Sequence, residues 1–175
     1  MTTRVWEGRY LAVEKQGNWE YAVRNRGIEA AVIVAVDDGH ILLVEQFRIP
    51  IGRPSLELPA GLIGDETAGE ALEVAAAREL EEETGYRADR IERLGLFHSS
   101  PGMTSEAFTL VRATGLTKVS DGGGEEGEGI TVHRVKLAEL PAFVEAKRRD
   151  GYGVDAKMLL VLGPALLDPP PSPRT

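Results

Sequence analysis

The stretch EALEVAAARELEEETGY, residues 70–86, determines how the rest of the chain is interpreted. Apolar residues recur along it at every fourth position, at Leu72, Ala76 and Leu80. This spacing places them on one face of a helix. Thr67 and Glu70 have the form of a capping box at the start of that helix, and Gly85 stands where a left-handed residue commonly ends one. The sequence therefore predicts an amphipathic helix over residues 68–84.

Three glutamates of this helix, Glu79, Glu82 and Glu83, are separated by three and four positions, so they project from one side. Exposed carboxylates at this spacing repel one another by roughly a few tenths of a kcal/mol per pair. A solvated acidic surface is one interpretation of the pattern. The other is a metal site, because carboxylates one turn apart can converge on Mg²⁺ and favour a phosphate-bearing substrate. Glu81 points to another side and is predicted to be an ordinary surface residue.

The whole string resembles the Nudix box, the signature G-x5-E-x7-R-E-U-x-E-E-x-G-U of Nudix hydrolases, in which U is apolar or aromatic. Every specified position from Glu70 to Tyr86 is filled at the right spacing. From Gly61, the gap to Glu70 is eight residues instead of five. Gly64 would restore the spacing, but the residues before Gly61 look like the usual entry to the motif. We interpret the difference as a three-residue insertion within residues 64–67 that alters the loop and not the helix.

The resemblance implies roles for particular residues. Glu79 and Glu83, together with Glu82, match the metal ligands of the family, and the main-chain carbonyl of Ala60 matches a further ligand. Arg78 matches the arginine that orients a box glutamate through an ion pair. Glu82 and Arg78 are therefore also expected to serve catalysis. The expected cofactor is Mg²⁺, with Mn²⁺ as an alternative.

Three segments outside the box resemble the ADP-ribose pyrophosphatase group of the family. They are SPGMTSE at residues 100–106, EQFR at residues 45–48 and LELPAG at residues 56–61. Pro101 lies fifteen residues after Tyr86, at the marker position of that group. The resemblance implies that four residues of these segments bind the substrate: Arg48, Glu57, Gly102 and Glu106. An ordinary turn would also explain the proline and glycine, and GDP-sugar hydrolases share much of the pattern.

A second acidic cluster, GGGEEGEG at residues 122–129, precedes a predicted strand. In the ADP-ribose group a mobile acidic loop lies here over the diphosphate. We expect Glu128, two residues before Ile130, to ligate a metal or to accept the proton of the attacking water, with Glu126 as the second choice. A solvated flexible linker is the alternative interpretation.

The pattern of apolar runs outside the box predicts a mixed β-sheet flanked by helices. Strands are predicted at residues 5–13, 18–23, 30–36, 40–46, 56–58, 91–98, 107–113 and 130–135, and further helices at residues 137–150 and 155–167. An Asp-Gly turn at residues 38–39 predicts a hairpin. The fold class is α+β, which the resemblance narrows to a Nudix-type α/β/α sandwich. Residues 1–167 are expected to form one domain, residues 1–25 to provide dimer-forming strands, and residues 168–175 to be a disordered proline-rich tail.

Composition excludes several classes of protein. The 175 residues carry a net charge of −8 and contain no cysteine. A disulfide framework and a cysteine nucleophile are therefore excluded, and the basic surface typical of duplex-binding proteins is missing. Apolar stretches are far shorter than the ~20 residues of a membrane helix, and the first residues lack the apolar core of a signal peptide. We expect a cytoplasmic protein without nucleic-acid or membrane partners.

The resemblance predicts Mg²⁺-dependent hydrolysis of a nucleoside diphosphate sugar, with ADP-ribose giving AMP and ribose 5-phosphate. One alternative is a GDP-mannose-like sugar hydrolase. Another is a Nudix-fold sensor that binds a nucleotide without cleaving it, although such proteins usually lose box glutamates that are all present here. Trp6, Trp19 and Tyr21 supply aromatic surface that a homodimer would cover. The alternative is that they close the chain's own core.

Overall fold

A computed structural model of the protein describes residues 1–25, 29–63, 70–125 and 127–167. The strands in these residues are β1 (Thr3–Glu7), β2 (Leu11–Gln16), β3 (Trp19–Arg24), β4 (Glu29–Asp37), β5 (His40–Arg48), β6 (Arg53–Glu57), β7 (Ala60–Ile63), β8 (Tyr86–His98), β9 (Ala107–Lys118), β10 (Thr131–Lys136) and β11 (Gly153–Val154). The helices are α1 (Leu72–Thr84), α2 (Leu140–Arg149) and α3 (Leu159–Leu167). Strands β1 to β3 form a sheet of their own, and the other eight form a mixed sheet with parallel β4–β9 and β6–β11 pairs. The predicted α+β class is confirmed.

The predicted hairpin is present, and its two strands separate beyond the turn. Asp38 and Gly39 both have positive φ angles, 47° and 67°, as a two-residue hairpin turn requires. Along these fully described strands, only the two residue pairs next to the turn are in register. Farther on, β4 pairs with β7 and β9, whereas β5 pairs with β6 and β10. The strands therefore diverge toward the start of β4 and the end of β5.

Alternating residues of β4 pack into two separate cores. Ala31, Ile33 and Ala35 share one core with the apolar face of α1. Val32 lies in the other core, with Leu43 of β5 and with residues of α2 and α3. A strand buried on both faces requires a helix layer on each side of its sheet. The predicted α/β/α sandwich is confirmed.

Helix α1 begins at Leu72 rather than at residue 68. Its N-cap is Ala71, which is extended and makes no side-chain hydrogen bond to the helix, so the predicted capping box is wrong. The Glu70 carboxylate lies 3.6 Å from Nη2 of Arg78 and serves that ion pair. Thr67 and the three-residue insertion assigned to residues 64–67 lie outside the described residues. Gly85 ends the helix with a φ of 75°, as predicted.

The bounds of other elements differ from the predicted ones, because strand pairing extends some of the apolar runs and divides others. The strand predicted at residues 5–13 is two antiparallel strands, β1 and β2. Strands β8 and β9 are longer than predicted because they pair with each other along nearly their whole length. Strands β7 and β11 were not predicted, since each is short and pairs with a distant strand. The helices predicted at residues 137–150 and 155–167 each begin with a 3₁₀ turn.

The N-terminal sheet contacts the main body through β3. The amide of Ala22 donates to the carbonyl of Met103 at 2.9 Å, and the amide of Ser105 donates to the carbonyl of Ala22 at 3.1 Å. Trp6 and Trp19 remain 57% and 62% exposed. The predicted tail at residues 168–175 lies outside the described residues. In the described part of the chain, no helix has both the length and the apolar character needed to cross a membrane.

Candidate active site

A cleft of about 900 Å³ opens where β4 and β5 have separated. Its walls come from the first residues of β4, the last of β5, β6, β7, α1 and several loops. Six acidic side chains line it: Glu57, Glu79, Glu83, Glu106, Glu128 and Asp155. Four cationic side chains also line it: Arg24, Arg48, Arg53 and Lys157. Because the acidic groups outnumber the cationic ones, an anionic ligand would need a cation between itself and the carboxylates.

Two glutamates one turn apart on α1 face the start of β7. The Glu79 carboxylate lies so close to Gly61 that a Cβ atom added there would be 2.1 Å from its Cδ. Oε2 of Glu83 accepts a hydrogen bond from the amide of Ala60 at 3.1 Å. A side chain at position 61 would therefore force the Glu79 carboxylate to shift from its observed place.

The surroundings of Glu83 favour its protonated form in the absence of a cation. Burial raises the pKa of Glu83 to about 8; the Ala60 amide opposes this shift, and the carboxylates of Glu79 and Glu128 add to it. A bound cation would take the place of the proton, since it offsets the desolvation of the carboxylate. Carboxylate and carbonyl oxygens are the ligands that Mg²⁺ prefers.

The groups that could hold a hard cation are the carboxylates of Glu79 and Glu83, together with the neighbouring backbone of Ala60. In the described ranges no group of three or more histidine, aspartate or glutamate side chains is arranged so that it could hold a metal ion. Two carboxylates and a main-chain carbonyl are a sufficient protein contribution for Mg²⁺, because this ion usually retains several waters. The residues present therefore fit the metal that the box implies.

Glu82 and Arg78, predicted as catalytic, are absent from the described lining of the cleft. Oε2 of Glu82 accepts a hydrogen bond from Nη1 of Arg78 at 2.9 Å, and the Glu82 side chain is 41% exposed. Nη2 of Arg78 lies 3.1 Å from Oε1 of Glu79. Arg78 therefore links the two glutamates and can orient Glu79. Glu81 pairs with Arg87 on another side of the helix, at 3.0 Å.

Arg48 and Glu57, predicted to bind the substrate, form a bidentate ion pair in the cleft. Nε and Nη2 of Arg48 donate to the two oxygens of Glu57 at 2.9 and 2.8 Å. Glu57 is buried, whereas 45% of the Arg48 side chain remains exposed. A guanidinium held by a buried carboxylate has few accessible orientations. Arg48 therefore presents a fixed positive charge to the cleft.

Glu106, also predicted to bind the substrate, is held by two partners. Nε and Nη2 of Arg24 donate to Oε1 at 2.8 and 2.5 Å, and the Ser99 hydroxyl donates to Oε2 at 3.0 Å. Burial alone would raise the pKa of Glu106, but these hydrogen bonds outweigh it, and the pKa lies below its usual value. Glu106 is therefore ionised at neutral pH.

Gly102 lies outside the described lining of the cleft. It belongs to an exposed turn, and a Cβ atom added to it would meet nothing within 4 Å. Its neighbours Pro101 and Thr104 border a second cavity of about 340 Å³, together with Trp19 and Tyr21. The structure thus places Gly102 beside the N-terminal aromatic residues rather than beside the α1 carboxylates.

The acidic loop brings Glu128 to the cleft. Oε2 of Glu128 accepts a hydrogen bond from the amide of Glu125 at 2.9 Å, and its carbonyl accepts one from Nε2 of Gln46 at 3.3 Å. Glu126, the second choice in this loop, lies outside the described residues. Glu128 is therefore the acidic residue of this loop that the structure places beside Glu83.

Sequence reasoning missed several cleft residues, among them Arg24, Gln46 and the pair Asp155 and Lys157. Nζ of Lys157 lies 2.7 Å from Oδ2 of Asp155 at the start of the last helical segment. Arg24 reaches the cleft from the end of β3. Gln46 lies inside the EQFR segment, where the resemblance implies a role for Arg48 alone. Arg24, Asp155 and Lys157 belong to no motif with fixed spacing. Their only signal is charge near an element boundary, which is too common to identify a site.

The family model of the NUDIX domain matches residues 25–158 of the chain. The chain belongs to the Nudix family. Two of the proteins to which this Nudix chain is similar match it along much of their length. The "Methanol dehydrogenase activator" of Bacillus methanolicus is 38% identical over 82% of this chain and 77% of that protein. The "ADP-ribose pyrophosphatase" of Bacillus subtilis (strain 168) is 36% identical over 67% of this chain and 62% of that protein.

A solved structure described as "Crystal structure of ADP compounds hydrolase" superimposes on this Nudix chain with a TM-score of 0.70. The two sequences are 25% identical, and the match covers 95% of this chain and 92% of the other. The likeness includes nearly the whole chain and therefore confirms the Nudix fold.

Proposed function

We propose that this Nudix protein hydrolyses the diphosphate of a nucleoside diphosphate sugar, with ADP-ribose as its substrate and AMP and ribose 5-phosphate as products. The proposal rests on one observation. Glu79 and Glu83 line the same cleft as Arg48 and Lys157. Carboxylates that hold a cation, next to fixed positive charges, suit a diphosphate. The similarity to an ADP-ribose pyrophosphatase and to an ADP compounds hydrolase supports the choice of substrate.

Glu79, Glu83 and the main-chain carbonyl of Ala60 are the residues we assign to a divalent cation, with Mg²⁺ as the first choice and Mn²⁺ as the second. When bound, the cation would supply positive charge for the phosphate oxygens and polarise a water molecule. Arg78 orients Glu79 through their 3.1 Å ion pair. Glu82 would become a further ligand only after releasing its hydrogen bond to Arg78.

Glu128 is the residue we assign to accept the proton of the attacking water. Its carboxylate lines the cleft and, among the described residues, accepts one hydrogen bond from its own loop, from the amide of Glu125. A carboxylate held in this way can rotate toward a substrate at the cost of a single bond, typically about 1 kcal/mol. Glu126 is the second candidate in this role.

Arg48 is the residue we assign to the substrate's phosphates, because its guanidinium is fixed and still accessible. Arg24 and Glu106 are assigned to the other end of the substrate, where their ion pair offers both a donor and an acceptor. Gly102 would take part through its turn, since Pro101 and Thr104 of that turn line the second cavity together with Trp19.

Homodimer formation through β1 to β3 is part of the same proposal. Trp6 and Trp19 remain exposed on this sheet and do not close the chain's own core. A partner subunit would cover them and complete the second cavity beside Tyr21. We further assign residues 1–167 to one catalytic domain and the protein to the cytoplasm.

Chromatographic analysis of products tests the proposed reaction. The purified protein is incubated with ADP-ribose or GDP-mannose, each with Mg²⁺ and each with a chelator. AMP and ribose 5-phosphate from ADP-ribose, formed only with Mg²⁺, are the expected result. Faster cleavage of GDP-mannose would make a GDP-sugar the substrate. Tight binding without any product would indicate a sensor that does not cleave the nucleotide.

A further inference from the structure

The carboxyl end of α1 is capped by the backbone of the glycine segment, which we define as residues 122–124. The amide of Gly123 donates to the carbonyl of Glu83 at 2.9 Å, and the amide of Gly124 donates to the carbonyl of Glu82 at 3.0 Å. The last four carbonyls of a helix have no partner within the helix. Here two of these carbonyls accept hydrogen bonds from amides at the base of the acidic loop. The loop and the end of the helix therefore form a hydrogen-bonded junction.

The packing at this junction leaves no space for a side chain. A Cβ atom added to Gly122 would be 2.4 Å from the carbonyl carbon of Thr84 and 2.6 Å from the amide nitrogen of Gly85. A Cβ atom added to Gly85 would be 2.2 Å from the carbonyl oxygen of Ser120. Both glycines also have positive φ angles, +66° and +75°. The two backbones therefore touch directly, as only glycine allows.

The junction continues into the contacts of Glu128. A Cβ atom added to Gly124 would be 2.2 Å from Oε2 of Glu128, and the amide of the next residue, Glu125, donates to that same oxygen at 2.9 Å. A continuous set of contacts thus joins the helix end, which carries Glu83, to the carboxylate of Glu128. The glycine segment provides the close backbone contact in this set.

We propose that the contact between Gly85 and Gly122 sets the position of Glu128 relative to the carboxylates of α1, which makes Gly122 a positioning residue. Its effect on turnover rests on the proposed function, whereas the junction itself rests on the backbone geometry. Substrate binding by Arg48 does not depend on this contact. Loss of the contact should therefore lower kcat and leave KM nearly unchanged.

Gly122→Ala tests the proposal, with Gly39→Ala as its matched control. Gly39 has almost the same φ, +67°, but an added Cβ atom would meet nothing within 4 Å. Both substitutions therefore place an alanine at nearly the same positive φ angle. Only Gly122→Ala pushes the glycine segment away from the end of α1. We expect Gly122→Ala to lower kcat for ADP-ribose at least about tenfold, with KM changed less than about threefold. Gly39→Ala should leave kcat within about twofold of the parent.

Hydrogen exchange gives a readout that is independent of activity. The amides of Gly123 and Gly124 should be protected in the parent protein and should exchange at least about tenfold faster in Gly122→Ala. Unprotected amides in the parent would refute the junction. Faster exchange in the variant with an unchanged kcat would refute the positioning role. If the parent cleaves no substrate, the proposed function fails, and the exchange result still decides whether the junction exists.

Gly124→Ala keeps the proposal testable if Gly122→Ala does not fold. The three atoms nearest to the added Cβ atom would all belong to side chains: Oε2 of Glu128 at 2.2 Å, Cδ1 of Ile130 at 2.8 Å and Cδ of Glu128 at 3.3 Å. It should displace the Glu128 carboxylate while the amide of Gly123 stays protected. A kcat equal to that of the parent would contradict the proposal.

Discussion

Three consecutive glutamates on α1 occupy three different environments. Glu81 is paired with the exposed Arg87, whose hydrogen bonds lower the pKa of Glu81. Glu82 is bonded to Arg78. Glu83 is buried beside other carboxylates, and its pKa is raised to about 8. The same side chain thus pairs with arginine in two places and is buried beside other carboxylates in the third, depending on where it points.

Glu83→Gln should lower kcat by at least about a hundredfold, because it keeps the size of the side chain and removes a ligand charge. The variant should still fold, since the neutral amide resembles the protonated side chain that the surroundings of Glu83 favour in the absence of a cation. Mg²⁺ should raise the melting temperature of the parent and not that of the variant. Steady-state kinetics at saturating Mg²⁺ and thermal unfolding with and without Mg²⁺ measure both effects.

Glu81→Gln is the matched control, because it makes the same substitution two residues away on another side of the helix. Its kcat should stay close to that of the parent. Equal activity of the two variants would contradict the assignment of this helix side to the metal.

Glu128→Gln should lower kcat strongly with little change in KM, because a proton acceptor acts mainly in the transition state. Glu126→Gln should have the smaller effect. The kinetics of both variants at saturating Mg²⁺ decide between the two residues. If neither lowers kcat by at least about tenfold, roughly 1.4 kcal/mol of barrier, the loop is a solvated linker.

At the scale of elements, a partly buried polar cluster joins α2 to the sheet. Oε2 of Glu45 lies 2.9 Å from Nε2 of His133 and 2.6 Å from Nζ of Lys147, and Oε1 accepts a hydrogen bond from Tyr152 at 3.0 Å. These four residues come from β5, β10, α2 and the loop that follows α2. The cluster therefore fixes α2 on the strand that the acidic loop enters.

The stability of the fold should depend on this cluster in acid. Burial would raise the pKa of Glu45, but hydrogen bonds from Lys147, His133 and Tyr152 outweigh it, so the pKa lies below its usual value. A pKa that is lower in the folded than in the unfolded state means that ionised Glu45 stabilises the fold above about pH 4.5. That stabilisation is lost as the pH falls through the folded-state pKa.

Glu45→Gln should lower the free energy of unfolding by about 2 kcal/mol at neutral pH and should reduce the loss of stability below pH 4.5. Urea unfolding across this pH range measures both effects. Glu20→Gln is the control, because Glu20 forms an exposed pair with Lys15 and should change stability by less than about 0.5 kcal/mol. An unchanged acid dependence in Glu45→Gln would show that the cluster does not control stability.

At the scale of the whole molecule, the three-stranded N-terminal sheet contacts the main body through few hydrogen bonds and leaves two tryptophans exposed. Light scattering at micromolar concentration should give the mass of two 18.9 kDa subunits. The double variant Trp6→Ser with Trp19→Ser should shift the protein toward the monomer, because it removes apolar area from the proposed interface.

Leu159→Ser is the control for this experiment, because Leu159 is 55% exposed and lies on α3, away from the N-terminal sheet. It should leave the dimer intact. A parent protein that has the mass of one subunit would reject the dimer.

Local patterns of the sequence were sufficient to predict α1 up to Gly85, the turn at residues 38–39, the α+β class and the Nudix family. The α+β class depends on the order of the apolar runs, and the family on the resemblance to a box of fixed spacing. The helix and the turn depend on neighbours along the chain, within a few helical turns or one hairpin. The same holds for the prediction that Glu79 and Glu83 share one side of a helix. Their proposed roles remain predictions.

Only the tertiary structure decided which side chains line the cleft and which glutamates of α1 lie outside it. Arg24 reaches Glu106 across 82 residues of sequence, and Gly85 touches Gly122 because a loop returns to the helix end. Contacts of this kind depend on strand pairing and packing between distant segments, which no local pattern encodes. Glu82 pairs with Arg78 four residues away on the same helix, and helical spacing by itself does not distinguish this pair from a place in the cleft, because both lie on one side of α1.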